Sequence, residues 1–572
     1  MFSTSSRAMC VKNLGPKAVA LLCLPLIAGC GKNESGNSSS SSNQKHAENE
    51  PVLSLRWIGM KRLSAEPSAA GFMRVWRLPE SEKLKAQTLD KLALAPWHIL
   101  DTNSSPAVTN FAALVKQNHG AALLRPLLDD LVQNECYVEV RGAQPGASQL
   151  ALAIRMDPAR AGAWQSNLAG VFSSFSGART VAPPGGTNAG WQIQFTSAGA
   201  PPTARQAQLT RAGEWTVLGV GTGQNAAFSG LLGRVQGGQP ATAVANDWLQ
   251  TVFDLRRLAQ TLDWGWDLPE EWPKAVLNFT GDSTNTLMTG QLIFAKPLQF
   301  EIEKWNIPTN LIREPLHGFT AAQGLQRWIS SVPFWKGLNV SSAPNQIFTW
   351  SQSPSPFLGY AASPMADAKN VMAKLGPKIM DSMNPTLAAN RSGKWEHATN
   401  FDGIVWRAPV ITPFVDSITL PEGRFLCVGL APLGLTNGLP PAGTIKDLVT
   451  HTNVIYFDRE VTGPRIEAWM FLSQLSRIIF RRGQMTSDAC ATAWLRSAGL
   501  LLGASRTTIT KSNATTLYIN RASTIGLTGL ELHLLGDWLE SPQFPRGLHS
   551  TIVKLPAFPA RGTAIAPVKG PH

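Results

Sequence analysis

The sequence predicts an α+β fold: antiparallel sheets with helices packed on one face. Three observations carry this. Apolar residues switch repeatedly between a two-residue and a helical period. Hairpin-type turns join neighbouring alternating runs, which implies antiparallel pairing. A unit of strand, strand, proline-started helix and strand recurs about three times, around Pro158, Pro364 and Pro464.

Residues 53–118 mix short apolar runs with a helix around Leu84–Leu100. A stronger helix covers Ala121–Gln133, where Leu123, Leu124, Leu127, Leu128 and Leu131 recur at helical spacing and Asp129 and Asp130 face away. Cys136, Val138 and Val140 then alternate with polar residues as a half-buried strand. Gln144-Pro145-Gly146 turns the chain into a second strand, Gln149–Met156. Asp157-Pro158 opens a helix, with aspartate as the cap and proline in the first turn, where its missing N–H costs nothing. Trp164, Leu168, Val171 and Phe172 form its apolar face.

The pattern returns more loosely at Phe357–Ala361, followed by Ser363-Pro364 and a helix through Val371, Met372 and Leu375. It returns again at Asn453–Val461, followed by Gly463-Pro464 and a helix carrying Trp469, Leu472, Leu475 and Ile479. Trp191–Phe195, Glu214–Val220, Phe425–Gly429 and Thr507–Ile519 supply further short strands. Unequal proline spacing excludes a solenoid of fixed period. The alternation leaves one sheet face polar and wet.

Length and composition suggest a signal peptide over 1–29, a Ser-rich tether over 30–52, α+β domains over 53–270, 271–412 and 413–555, and a disordered proline-rich tail over 556–572. Arg7, Lys12 and Lys17 precede an eleven-residue apolar run, Ala18–Ala28, which is too short to span a bilayer. Gly31–Glu50 is almost wholly polar and cannot offset the entropy of ordering.

The string Ile27-Ala28-Gly29-Cys30 resembles a lipobox. The resemblance implies cleavage before Cys30, a diacylglyceryl group on its thiol, and palmitate-type acylation of the new amino group. Several chains are needed for firm anchoring, because one alone binds marginally. Gly31 differs from the aspartate that in this family often retains lipoproteins at the inner membrane, which implies the outer membrane. Residues 307–329 (IPTNLIREPLHGFTAAQGLQRWI) and 453–469 (NVIYFDREVTGPRIEAW) resemble uncharacterised lipoproteins of the Verrucomicrobia type and a domain of unknown function in bacterial envelope proteins. That resemblance brings no activity with it.

Removing residues 1–29 leaves 48 basic and 38 acidic residues, a net charge of +10 spread over more than 500 positions. No basic stripe with interleaved aromatics is present, so nucleic acid is not an expected partner. The expected partners are a membrane, through lipid on Cys30, and an envelope polymer or protein. Cys136, Cys427 and Cys490 sit among apolar neighbours and read as buried thiols, with a Cys427–Cys490 bridge as the alternative.

No HExxH, paired CxxC, GxSxG or GxxxxGK[ST] occurs. No catalytic residue, metal ligand or cofactor is assigned. Glu314 and His317 offer a base and a partner, but a loop histidine is the simpler reading. Glu396, His397 and Asp402 lack a metal-ligand spacing and suit a solvated hairpin tip. Asp263-Trp264-Gly265-Trp266-Asp267, with Glu270 and Glu271, resembles a calcium loop but places glycine where an oxygen ligand belongs.

Tryptophan is abundant, with 19 against 4 tyrosines, so stacking on sugars has to be weighed against core packing. Trp164, Trp248, Trp469 and Trp538 fall on expected helix faces, which favours packing. Trp264, Trp266 and Trp272, with Asp263 and Asp267, form the candidate ligand-binding cluster. The leading expectation is a non-enzymatic binding or scaffolding lipoprotein of the cell envelope. The alternatives are a hydrolase or binder of envelope glycans, and a lipid carrier or assembly factor.

Overall fold

The computed structural model describes residues 50–541 and 544–545, apart from 101–109, 143–147, 175–177, 182–189, 196–204, 223–224, 239–246, 262–271, 301, 341–342, 354–357, 390, 400, 408–411, 431–437, 451–452 and 481–485. Cys30, the tether up to residue 49, the 556–572 tail and the expected turn at Gln144-Pro145-Gly146 lie outside the described residues.

Among the described residues the fold is α+β around one antiparallel sheet of 20 strands. In chain order the first ten are β1 Leu53–Trp57, β2 Cys136–Arg141, β3 Gln149–Arg155, β4 Ala178–Val181, β5 Gly190–Phe195, β6 Arg205–Ala212, β7 Trp215–Thr222, β8 Leu249–Asp254, β9 Lys274–Gly281 and β10 Thr286–Ile293. The second ten are β11 Gly318–Gln323, β12 Gln346–Ser351, β13 Gly359–Pro364, β14 Lys394–His397, β15 Ile404–Arg407, β16 Phe414–Leu420, β17 Gly423–Gly429, β18 Val454–Val461, β19 Ala504–Lys511 and β20 Thr516–Ser523.

The pairings give the spatial order β4-β5-β6-β7-β3-β2-β1-β8-β9-β10 for the first ten. They give β14-β15-β16-β17-β13-β12-β11-β18-β19-β20 for the second. Adding ten to each strand of the first series yields the second, so the chain is an internal duplication. The halves join where β10 pairs with β20, from Thr286–Ser523 to Ile293–Thr516. The two outermost strands, β4 and β14, have four residues each, and short edges limit unwanted pairing.

Register carries the equivalence down to single residues. Val52 N–H bonds to Val140 O at 2.8 Å, and His317 N–H bonds to Ser351 O at 2.8 Å. Met156 N–H reaches Glu214 O at 2.9 Å, and Met365 N–H reaches Arg424 O at 2.8 Å. Gly190 and Gly403 occupy matching positions, where a Cβ would stand 2.1 Å from Leu209 O and 2.2 Å from Val415 O. Gly59 and Gly324 follow the first strand of each half, both with φ of +83°.

A Cβ on Gly59 would lie 2.5 Å from the carbonyl carbon of Asn134, which is rigid backbone, whereas at Gly324 the nearest atoms belong to the Phe300 ring. Gly59→Ala is therefore expected to lower stability by about 2 kcal/mol and Gly324→Ala by less. Urea unfolding of both variants checks this, and equal losses would contradict it.

Nine longer helices are used below: α1 Pro79–Leu100, α2 His119–Gln133, α3 Pro158–Ser173, α4 Ala226–Gln236, α5 Ala368–Ala389, α6 Ala442–Thr450, α7 Thr462–Phe480, α8 Cys490–Gly499 and α9 Gly529–Leu539. Helical cover extends beyond the single face expected. Leu124 and Leu127 of α2 and Trp164 and Leu168 of α3 pack on Leu150, Leu152 and Ile154. Ala227, Phe228 and Leu231 of α4 pack on the other face of β3, against Ala151 and Ala153. In the second half α5 packs with Val415 and Leu426, while Leu448 of α6 joins Phe425 and Cys427 on the opposite face. At the seam Thr289 and Asn520 pair and are exposed, so the sheet is wet there as expected.

Several expectations change. The boundaries at 270/271 and 412/413 meet no break in the sheet, because β8 pairs with β9 across the first and β15 with β16 across the second. Of the three proline units, those at Pro158 and Pro364 are topological equivalents, and the one at Pro464 is a different part of the repeat. Pro158 begins α3 as expected, with the Asp157 carboxylate accepting Arg160 N–H at 2.9 Å. Pro364 instead ends β13, and α5 starts at Ala368; proline is tolerated at a strand end, where its absent N–H is not needed by the ladder. Pro464 is the third residue of α7.

Trp164 is buried, but Trp469 is only half-buried and lies under Arg465, whose guanidinium carbon is 5.3 Å from the ring centroid. Trp248 is buried just before β8 and is not helical. Asp130 does not face away: it accepts Trp164 Nε1–H at 2.9 Å and pairs with Arg160 at 2.6 Å.

Candidate functional site

The duplication acts as an internal control, because a feature present in one half and absent from the other is not demanded by the fold. Two such features stand out in the second half.

The first is a cavity of about 550 Å³ at the ends of β12, β13 and β17. Its walls are Glu303, Lys304 and Asn306 on one side, and Asn345, Gln346, Pro364–Ala366, Gly423 and Arg424 on the other. Two buried glutamines hold the irregular 302–308 segment in place. Gln323 Oε1 accepts Glu303 N–H at 2.9 Å, and Gln346 Oε1 accepts Asn306 N–H at 2.9 Å. Gln346 Nε2–H donates to Lys304 O, and Gln323 Nε2–H donates to Val454 O.

The register places Glu135, Arg155, Met156 and Glu214 of the first half at the positions of Gln346, Pro364, Met365 and Arg424. In the first half Arg155 makes an exposed ion pair at this place: its guanidinium is 2.5 Å from Glu214 and 3.8 Å from Glu135. In the second half the cation has become proline, one carboxylate an amide and the other a guanidinium. The ion pair of the first half has no counterpart at these positions. Arg424 is exposed, and among the described residues its guanidinium reaches Ala366 O alone, at 3.5 Å.

The second feature is a buried polar belt. Alternation on β18 puts Tyr456, Asp458 and Glu460 on one face, beside Thr507 and Ser505 of β19, with Arg521 and Ser523 of β20 beyond. At the equivalent first-half positions β8 and β9 carry Thr251, Phe253, Leu277 and Ala275. Asp458 accepts the Thr320 hydroxyl at 2.6 Å. Glu460 accepts Gly529 N–H from the start of α9 at 2.5 Å, with Arg465 Nε at 3.7 Å. Arg521 grips Glu531 with two bonds of 2.6 and 2.9 Å and also donates to Thr507. Glu531 in turn completes the capping box of α9 with Thr528.

Burial pushes the Asp458 carboxyl up and lifts that of Glu460 to about 7. Three carboxylates face two guanidinium groups, so one proton brings the belt to neutrality. Asp458 is 7 % and Glu460 5 % exposed, so substrate cannot approach them.

Of the cluster expected to bind ligand, Trp264, Trp266, Asp263 and Asp267 lie outside the described residues, as do Glu270 and Glu271. Trp272 is exposed, at 38 %. Glu314 accepts the N–H of Leu316 at 2.8 Å, while His317 Nδ1 is buried without a partner and desolvation holds its pKa down. Glu396 pairs with Arg407 and Lys394, and Asp402 with Lys369 at 2.9 Å, so these acids are neutralised by lysine and arginine. Among the described residues no group of three His, Cys, Asp or Glu side chains is placed to hold a metal.

Cys136, Cys427 and Cys490 are not joined by disulfides, and burial raises the Cys427 thiol to about 12. Sequence reading missed the cavity and the belt. The belt's only signal was polar residues at alternate positions on paired strands that helices also cover. Compared with family models, curated proteins and solved structures, the chain matches none.

Proposed function

We propose that the chain is a non-enzymatic binding module of the cell envelope, anchored through lipid on Cys30. The observation that carries this reading is the chemistry of the cavity: it is open, lined by amides and mixed charges, and holds a single carboxylate, Glu303. Glycoside hydrolysis needs two carboxyls facing one another across a cleft; among the described residues the cavity holds one, and the neighbouring Asp458 and Glu460 are buried elsewhere. A lipid carrier needs a continuous apolar groove, and this cavity is polar. No helix among the described residues is long and apolar enough to cross a membrane; the proposed anchoring is supported by the lipobox resemblance at Cys30.

Cys30→Ser is expected to abolish acyl labelling and shift the protein from the membrane to the soluble fraction; unchanged partition would remove the anchor from the reading. The soluble variant should cosediment with insoluble envelope polymer or capture an envelope protein without turning it over. Release of sugar or peptide fragments from that polymer would count against a non-enzymatic module.

A further inference from the structure

We propose that the cavity between the 302–308 segment and the ends of β12, β13 and β17 binds a short peptide through its free carboxylate. The inference rests on the reading of the chain as a binding module and adds the ligand's chemical class. At the equivalent place in the first half the charges pair among themselves: Arg155 makes an exposed ion pair with Glu214 and lies near Glu135. The second half has lost that side chain to Pro364 and turned the charge around at Arg424. Among the described residues Arg424 has no carboxylate within ion-pair distance, so a bound carboxylate would be its counter-ion.

Lys304 lines the same cavity and adds a second cation, while Glu303 is the one acid. Arginine meets a carboxylate with two parallel bonds, which makes it the natural anchor. The rest of the wall fits a peptide better than a bare anion. Asn306 and Asn345 each offer an amide donor and acceptor that match a peptide group. Met365 and Pro364 give an apolar floor for a side chain. Gly423, with φ of +138°, keeps the rim low: a Cβ there would come 3.4 Å from Asn306 Nδ2. Gln346 is committed to holding the wall, since both ends of its amide bond to backbone. A cavity of this size is in the range of small-ligand sites.

The test uses the full chain and two probes, N-acetyl-alanyl-alanine and its C-terminal amide, in calorimetric titration. The acid should bind saturably, and the amide about tenfold more weakly or worse, because only the acid has the charge that Arg424 pairs. Arg424→Gln should lose the acid's advantage while unfolding at the same urea concentration as the parent. The double variant Pro364→Arg, Arg424→Glu rebuilds the first-half ion pair and should leave no binding. If it does not fold, Arg424→Gln at its exposed position decides alone. Equal binding of acid and amide, unimpaired binding by Arg424→Gln, or no saturable binding of the acid up to about 10 mM would overturn the proposal. In the last case, continued cosedimentation with envelope polymer would show that the site assignment has failed and the binding-module reading has not.

Discussion

Replacing Trp164 with alanine is expected to lower the unfolding free energy by about 3 to 5 kcal/mol. The indole sits on α3 at 2 % exposure, in the core formed with Leu150, Leu152 and Ile154 of β3 and Leu124 and Leu127 of α2. Truncation removes that packing and leaves a void that neighbouring helices cannot fully close. It also removes the indole N–H from Asp130, which Arg160 still pairs. Trp164→Phe separates the two effects: most of the ring volume stays and the hydrogen bond goes, for about 1 kcal/mol of loss.

Trp469 provides the contrast. It is half-buried, its Nε1–H has no partner, and the Arg465 guanidinium lies over its ring. Trp469→Ala is therefore expected to cost about 1 to 2 kcal/mol. Urea unfolding of the three variants gives the comparison. Equal losses at Trp164 and Trp469 would restore the equivalence that the topology denies.

The elements legible in the sequence are those whose local signal agrees with their surroundings. α2, β2, β3, α3 and β18 each show a clear period, and Asp157-Pro158 marks a helix start that the structure keeps. Thr507–Ile519 was legible only as one alternating stretch; it is the hairpin β19–β20, whose turn at 512–515 lacks a strong glycine signal. Pro364 shows the limit of local grammar. A proline after a strand suits both a strand end and a first helical turn, and the choice is made by the partner strand β17, which is more than fifty residues away in sequence.

The duplication is hidden for a related reason. Packing tolerates many apolar substitutions, so few side chains are held in common. The identities that survive include Gly59 with Gly324, Gly190 with Gly403, Gly219 with Gly429 and Met156 with Met365. Most of these are glycines because backbone geometry leaves no room or no allowed φ for a side chain. Such pairs lie at unequal separations, 265 residues for the first and 213 for the second, so no fixed period betrays them. The cavity was equally out of reach, since it draws on four segments that only the sheet brings together.

Stability is expected to fall as pH rises through neutrality, with Glu460 as the main cause. Its carboxyl titrates at about 7 in the folded protein against 4.5 in the unfolded chain, because burial beneath α7 and α9 disfavours the charged form. Below pH 4.5 both states hold the proton and the full contribution is present. Between 4.5 and 7 the folded state keeps a proton that the unfolded state gives up, so stability declines as pH rises and the contribution is lost above 7. A difference of this size corresponds to about 3 kcal/mol across the window. Asp458, also pushed up by burial, acts in the same direction. Glu460→Gln carries no proton to lose, and its carbonyl can still accept the N–H of Gly529. The variant should match the parent near pH 5 and exceed it at pH 8, with a flatter profile between. Thermal unfolding at those two values reads the effect directly. A parent profile that is flat from pH 5 to 8, or one that Glu460→Gln leaves equally steep, would place the proton elsewhere in the belt.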